Sequence, residues 1–471
     1  MSIIITTAIA YTNGPPHIGH LYEYVLADIV NRYFKILGHK HTYYLTGTDE
    51  HGQKIANKAK QLKIHPKELC NNISRLFKQL HKNIGSDYNT FIRTTDPQHI
   101  KVVQNFFQHI QNDIELGTYQ GWYLEREECF ITEICALKMN YIDEISGKKL
   151  IKLDEESLFF RLDRYYDKII MYVKGKHIYP IKYRNEIIER LRKPLKKISI
   201  SRIGVDWGIP VPKNDKHVFY VWFDALLNYI SGVKTYRSSI HIIGKDILWF
   251  HSVVWIGMLL SAKLPLPEKI FVHGFIVDSS GKKMSKSLGN VVNIDNVLNS
   301  IPIHTIRYGL AQSTIGNDVK WGIQHFIQLH NSDLVGGYGN LINRVISLII
   351  KYNFKTKDGT INTNIINKVT NLLNEFKINE IVELSRKYIH QLNSYITMTE
   401  CWSNNTIFKR DDILQTIYCG VITVTRLLHP VIPQQTQHVL NWFKVNLNLN
   451  NNIERGYSSN KKLDLLFNKI L

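Results

Sequence analysis

Hydrophobic and polar positions follow two rhythms along this chain. Ile3 to Ala8 is an apolar, β-branched run, which predicts a buried strand. Asn13-Gly14-Pro15-Pro16 then marks a turn. From His17-Ile18-Gly19-His20 onward, Leu21, Val25, Ile29, Tyr33 and Ile36 recur at helical spacing, and Gly38 is placed to end that helix. Thr42 to Leu45 reads as a second strand, running into Thr46-Gly47-Thr48-Asp49-Glu50-His51-Gly52. Strand, turn, helix and strand in this order open a doubly wound parallel sheet, an α/β fold. Ligands of such sheets sit beyond the carboxyl ends of the strands, which is where His17, His20 and Asp49 fall.

From about Tyr119 to Arg184 the pattern becomes short, charged and turn-rich, with Ser146-Gly147-Lys148 as a hairpin turn. This predicts an insertion into the sheet domain. The α/β rhythm resumes with Val218 to Phe223, His241 to Ile243 and Ile270 to Val272 as strands. From about Asp333 helical periodicity dominates, and Leu334, Leu341, Val345 and Leu348 form the first apolar stripe of an all-α region. The expected division is 1–118 and 185–274 for the two halves of the sheet domain, with 119–184 as the connective insertion. Residues 275–332 form a loop-bearing linker and 333–471 a helical domain. No internal repeat occurs, and Asn446 to Asn452 reads as a loop.

The 471 residues exceed one domain and need no disulfides to build a core. Five scattered cysteines (Cys70, Cys129, Cys135, Cys401 and Cys419) with no CxxC read as free thiols. No apolar run of membrane-spanning length and no basic leader occur, so a cytoplasmic chain without membrane contact is expected. Lysine and arginine exceed aspartate and glutamate by 19, which points to a polyanionic partner. An A+T-biased genome would also enrich lysine, so charge alone favours nucleic acid only modestly.

Two segments carry chemistry. His17-Ile18-Gly19-His20 stands where a strand turns into a helix. A helix N-terminus offers unpaired N–H groups and a positive dipole end, which suit phosphate, and imidazoles three apart share one face of the first turn. Gly281-Lys282-Lys283-Met284-Ser285-Lys286-Ser287 places lysines on a glycine- and serine-rich loop able to close over a pyrophosphate. Together they form an electrostatic clamp for attack at phosphorus, where positioning and charge supply most of the catalysis. Either segment alone is weak, since paired histidines at a helix start or a lysine-rich loop occur by chance.

At these residues the chain resembles the first class of aminoacyl-tRNA synthetases. The segments Ala8 to Gly14, Thr46 to Gly52, Ile198 to Arg202, Trp207 to Pro212, Tyr220 to Leu226 and Ile243 to Ile247 with Phe250-His251 narrow the resemblance to the methionyl-tRNA synthetase family. It runs from near residue 3 to about residue 440. It implies methionine activation with ATP and Mg²⁺, then transfer to tRNA(Met). It assigns His17, His20, Lys283 and Lys286 to catalysis, and Gly19, Glu23, Asp246 and Lys286 to ATP. The implied methionine pocket comprises Ala8, Ile9, Tyr11, Asp49, Trp222, Ala225, Leu226, Tyr229, Phe250 and His251. Asp49 suits an ammonium group, the aromatic rings suit a thioether, and the Tyr229 hydroxyl is placed to donate to the sulfur. Asn340 and Arg344, four apart on one helix face, and the aromatic Trp402 match positions that read the anticodon.

The sequence departs from the family in the insertion. Leu124 and Glu127 stand where the first zinc knuckle has cysteines, and Cys129 and Cys135 cannot complete a four-ligand site, so no structural zinc is expected. A monomer is expected, because little chain remains after the helical region. The rivals are synthetases of the same class for cysteine or an aliphatic amino acid, a small nucleotidyltransferase, and a catalytically inactive synthetase-derived tRNA-binding protein. The first would need zinc ligands in the pocket and the second an editing insertion. The nucleotidyltransferase would lack the helical tail, and the last would show decay at His17, His20 or Lys286.

Overall fold

The computed structural model describes residues 3–39, 41–124, 129–131, 133–143, 147–282, 284, 292–449, 452–456 and 462–470. Its centre is a parallel sheet in which Ile3–Thr7 lies between Thr42–Asp49 and Ser239–Gly244. Thr90–Arg93 extends it beyond Thr42–Asp49, while Lys269–His273 and then Ile178–Tyr179 extend it beyond Ser239–Gly244. Strand order therefore reverses between Ile3–Thr7 and Ser239–Gly244. That reversal opens a crevice at the carboxyl ends of these two strands. Both are buried on both faces, which is why they read as apolar runs rather than alternating ones.

The first helix, Ile18–Ile36, fills the return from the first strand to the second. Its expected stripe is buried at every position, and so are Ala27, Asn31 and Phe34 on the far side. A helix buried all round needs cover on two sides. The sheet supplies one, and the C-terminal helices supply the other. Tyr33 donates its hydroxyl to the Leu427 carbonyl at 3.0 Å. Arg307, itself buried, pairs with Asp28 at 2.7 Å and donates to the carbonyls of Pro430 and Val431 at 2.7 and 2.8 Å. The helical region contains Asn340–Lys351, Thr363–Asn374, Ile378–Thr399, Arg410–Leu428 and Pro433–Phe443. Its core merges with that of the first helix into one apolar cluster from Ile5 to Phe467.

Three expectations change. Val218 to Phe223 is not one strand. A strand at Asn214–Phe219 pairs antiparallel with Ser201–Ile203 and Pro210–Val211, outside the parallel sheet, and Val221–Leu226 is a helix. A short β-branched and aromatic run fits either state, and here packing decides. The insertion is an antiparallel sheet of Cys129–Ile131, Ile114–Leu124, Ile151–Phe160 and Ile198–Ser199. The boundary drawn at residue 119 falls inside its longest strand, and Ile178–Tyr179 lies in the parallel sheet. Likewise the division at 333 falls inside a helical stretch, His330–Gly339, that runs straight into Asn340–Lys351. No described helix is long and apolar enough to cross a membrane.

Candidate active site

An open cleft of about 1150 Å³ lies over the sheet's reversal point. One wall begins at the first helix. His17 caps it, its Nδ1 accepting the Gly19 N–H at 3.2 Å, while the His17 N–H donates to His20 Nδ1 at 3.1 Å. Both Nδ1 atoms are acceptors, so each neutral ring carries its proton on Nε2 as a donor. The rings stack at 3.8 Å between centroids, and Phe77 meets His20 edge-on at 5.0 Å. Burial, with His17 beside it, holds the His20 imidazole well below the ordinary histidine range. No acidic residue occupies the helix's first turn, so nothing competes there with an incoming phosphate. A Cβ on Gly19 would come within 3.0 Å of the His17 ring, so the glycine keeps the cap possible.

The opposite wall comes from Val221–Leu226 and Phe250–Val254, the latter a π-helical turn. Trp222 stacks flat on Phe250, 3.8 Å between centroids and 4° between planes. Trp222 lines the cleft, and Phe250 stands behind it rather than in the lining. Ala8, Ile9, Tyr11, Asp49, Ala225, Leu226, Tyr229 and His251 also line the cleft, together with His17, Gly19, His20, Glu23 and Asp246. The described part of the expected set is thus brought together, apart from Phe250 and the three distant residues below. Lys283, Ser285 and Lys286 lie outside the described residues, while Met284 lines the cleft.

The Tyr229 hydroxyl is engaged within the wall itself. His251 Nδ1 faces the Ile247 carbonyl at 2.9 Å and must donate to it. Burial pushes the His251 pKa down to about 4, so its Nε2 is a bare acceptor at neutral pH. Tyr229 therefore donates its one proton to His251 at 2.7 Å, leaving only lone pairs for a ligand.

Sequence reasoning missed His273. Its Nε2 meets Glu23 at 3.0 Å and its Nδ1 meets the Gly274 carbonyl at 2.8 Å. Burial raises the Glu23 pKa, and His273 is also raised, because the adjoining carboxylate outweighs the desolvation of its charge. The signal was its position at the carboxyl end of the strand Lys269–His273. Lys54 and Lys58, one turn apart on Gln53–Leu62, make a cationic rim, with Lys54 at 5.3 Å from the Tyr11 ring centroid.

Asn340, Arg344 and Trp402 do not line the cleft. Asn340 and Arg344 converge on Asn393 of Ile378–Thr399, at 3.5 and 3.0 Å, and Arg344 also donates to Thr397 at 3.0 Å. Trp402 is 44% exposed. Its loop is clamped by Arg410, which donates to the Cys401 and Ser403 carbonyls and covers the Tyr352 ring at 4.3 Å. Among the described residues, no three His, Cys, Asp or Glu side chains converge as a resident metal would require.

Comparison with known proteins matches residues 3–139 and 136–346 to the model of the class I tRNA synthetases (M). Residues 363–463 match the anticodon-binding domain of tRNA ligases. The methionine–tRNA ligase of Thermotoga maritima is 33% identical across 93% of this chain and 75% of its own length. The chain belongs to the methionine–tRNA ligases. The methionine–tRNA ligase of Rhizobium meliloti is 39% identical over 74% of this chain and 70% of its own. Among solved structures, a Mycobacterium tuberculosis methionyl-tRNA synthetase in complex with methionyl-adenylate superposes with a TM-score of 0.88 at 28% identity, covering 97% of this chain and 98% of that one. The α/β sheet and C-terminal helical region inferred above from periodicity are therefore the fold of this class I family.

Proposed function

We propose that this cleft activates methionine with ATP and transfers it to tRNA(Met). The observation that carries the reading is the pairing of two Nε2–H donors at a helix N-terminus with Asp49 and an aromatic wall in one cleft. Methionine enters with its ammonium group on Asp49 and its side chain among Trp222, Ala225, Leu226 and Tyr229, with Ala8, Ile9 and Tyr11 along the floor. Phe250 acts by bracing Trp222, and His251 by orienting the Tyr229 hydroxyl. ATP lies across Gly19, Glu23 and Asp246. His17 and His20 donate to its phosphate oxygens, where charge grows in the transition state.

A methionine carboxylate oxygen forms a bond to the α-phosphorus as the bond to the β-phosphate bridging oxygen breaks, releasing pyrophosphate. A ribose hydroxyl at the tRNA terminus then attacks the activated carbonyl carbon, gives up its proton, and releases AMP. Lys283 and Lys286 are assigned to the pyrophosphate by their place in the signature. Mg²⁺ would accompany ATP and offset the charge of its phosphates. Asn340 and Arg344 read anticodon bases by edge hydrogen bonds, and Trp402 offers its exposed face for stacking. The inactive tRNA-binding alternative has no support at His17 or His20, both of which are present and oriented as donors.

The test is amino-acid-dependent ATP–pyrophosphate exchange with each of the twenty amino acids. Exchange is expected with methionine alone, and Lys286→Ala is expected to slow it. Asp49→Asn removes a charge-assisted hydrogen bond worth about 1.5–3 kcal/mol, so the methionine KM should rise about 10–100-fold while the ATP KM holds. Exchange with another amino acid, or an unmoved methionine KM, overturns the pocket.

A further inference from the structure

Residues Asp49 to Gly52 are each held by a different part of the molecule. The Asp49 carbonyl receives the Thr12 N–H at 3.0 Å. Glu50 is fully buried and bound by Arg93 at 2.7 and 2.9 Å. The Gly52 N–H donates to the Trp207 carbonyl at 2.9 Å. His51 reaches the opposite wall of the cleft: its Nδ1 donates to Asp224 at 2.7 Å. The second Asp224 oxygen takes the His99 Nε2–H at 2.6 Å, and His99 Nδ1 meets the Ser231 hydroxyl at 2.7 Å. Asp224 and both histidines are buried. A carboxylate only accepts, so both rings donate to it.

Asp224 is the one charged residue of Val221–Leu226, the helix that carries Trp222, Ala225 and Leu226. Six residues without a side-chain cap do not hold a helix in place by themselves. Asp224 is absent from the cleft lining, so its bonds hold the helix from behind. His51, two residues after Asp49, anchors that same helix to the substrate's ammonium partner.

We infer that the His51–Asp224–His99 chain is a positioning device that sets the length of side chain the pocket accepts, by fixing the wall of Trp222, Ala225 and Leu226 relative to Asp49. The inference rests on the methionine-pocket reading above. An amino acid held at its ammonium end is measured by where the far wall stands. A methylene is worth only ~10–200-fold in an apolar pocket, and only when that wall does not give.

The probe is ethionine, one methylene longer than methionine. In ATP–pyrophosphate exchange, His51→Leu is expected to lower the methionine-to-ethionine ratio of kcat/KM by about tenfold and to raise the methionine KM, with the ATP KM unchanged. His51→Asn, whose amide nitrogen stands where Nδ1 stood, is expected to restore the ratio. Should His51→Leu fail to fold, Asp224→Asn keeps the volume, drops the charge and is expected to lower the ratio likewise. An unchanged ratio in the folded variant, or equal losses in His51→Leu and His51→Asn, overturns the inference. Asp49→Asn separates the two readings. If it raises the methionine KM while His51→Leu leaves the ratio alone, only the positioning device fails. If it too has no effect, the pocket reading fails with it.

Discussion

His20→Asn should slow methionine-dependent ATP–pyrophosphate exchange by about 10²–10³-fold, with the KM values of methionine and ATP little changed. The asparagine carbonyl keeps an acceptor near the His17 N–H, so the start of the first helix stays capped. What is lost is the Nε2–H. A preorganised donor aimed at charge that grows only in the transition state is worth about 10²–10³ in kcat. The effect should fall on kcat because a ground-state phosphate has water and the helix N–H groups as alternatives. Because the His20 pKa is held far down, the wild-type donor is the neutral ring, and the rate should show no limb from His20 between pH 6 and 8. A variant with wild-type kcat, or one that loses only ATP affinity, would assign the phosphate contact elsewhere.

The second large effect is on stability. His81 and His251 are fully buried and His429 nearly so, with pKa values pushed by burial to about 3, about 4 and about 3. In the unfolded chain each returns to 6.5. Between those values the unfolded state binds protons that the folded state refuses, so stability rises with pH and falls as pH drops below 6.5. Each group contributes about 1.4 kcal/mol per pH unit, and the three together about 4 kcal/mol per unit. His273 runs the other way: its raised pKa gives stability that is present below 6.5 and lost as pH rises through the folded value, so it does not offset the acid side. Asp28 and Asp224, both depressed, hold their contribution above the unfolded carboxylate value and surrender it only at lower pH. Urea midpoints should therefore drop steeply from pH 6.5 to 5, before the depressed carboxylates of Asp28 and Asp224 titrate. A flat midpoint over that range would mean the histidines are hydrated in the native state.

The parts of this molecule that local pattern controls were legible in the sequence. The first strand, the capped first helix and the second strand follow from Ile3–Ala8, His17 and Gly38, because each signal lies within a few residues of what it specifies. The helix Val221–Leu226 was not legible. Asp224 within it is bound by His51 and His99, which are 173 and 125 residues away in the chain, so its surroundings cannot be read from local pattern. Distance along the chain likewise hid the Glu23–His273 pair, 250 residues apart, while the committed proton of Tyr229 depends on the tautomer that the Ile247 carbonyl imposes on His251. The insertion's start was misplaced because a change in composition marks where a strand's surroundings change, not where its pairing begins.

Arg307 ties the sheet-bearing lobe to the helical lobe. It is buried with Asp28 of the helix that starts at the phosphate clamp, and it also donates to the Ile84 carbonyl of the same lobe and to the Pro430 and Val431 carbonyls of the helical region. Cutting the helical lobe away would strand that guanidinium with half of its acceptors gone and would bare the apolar side of the first helix. The catalytic lobe is therefore not a portable module. The two lobes should melt in a single calorimetric transition, and an expressed fragment that ends before residue 333 should be prone to aggregate rather than work as a smaller enzyme.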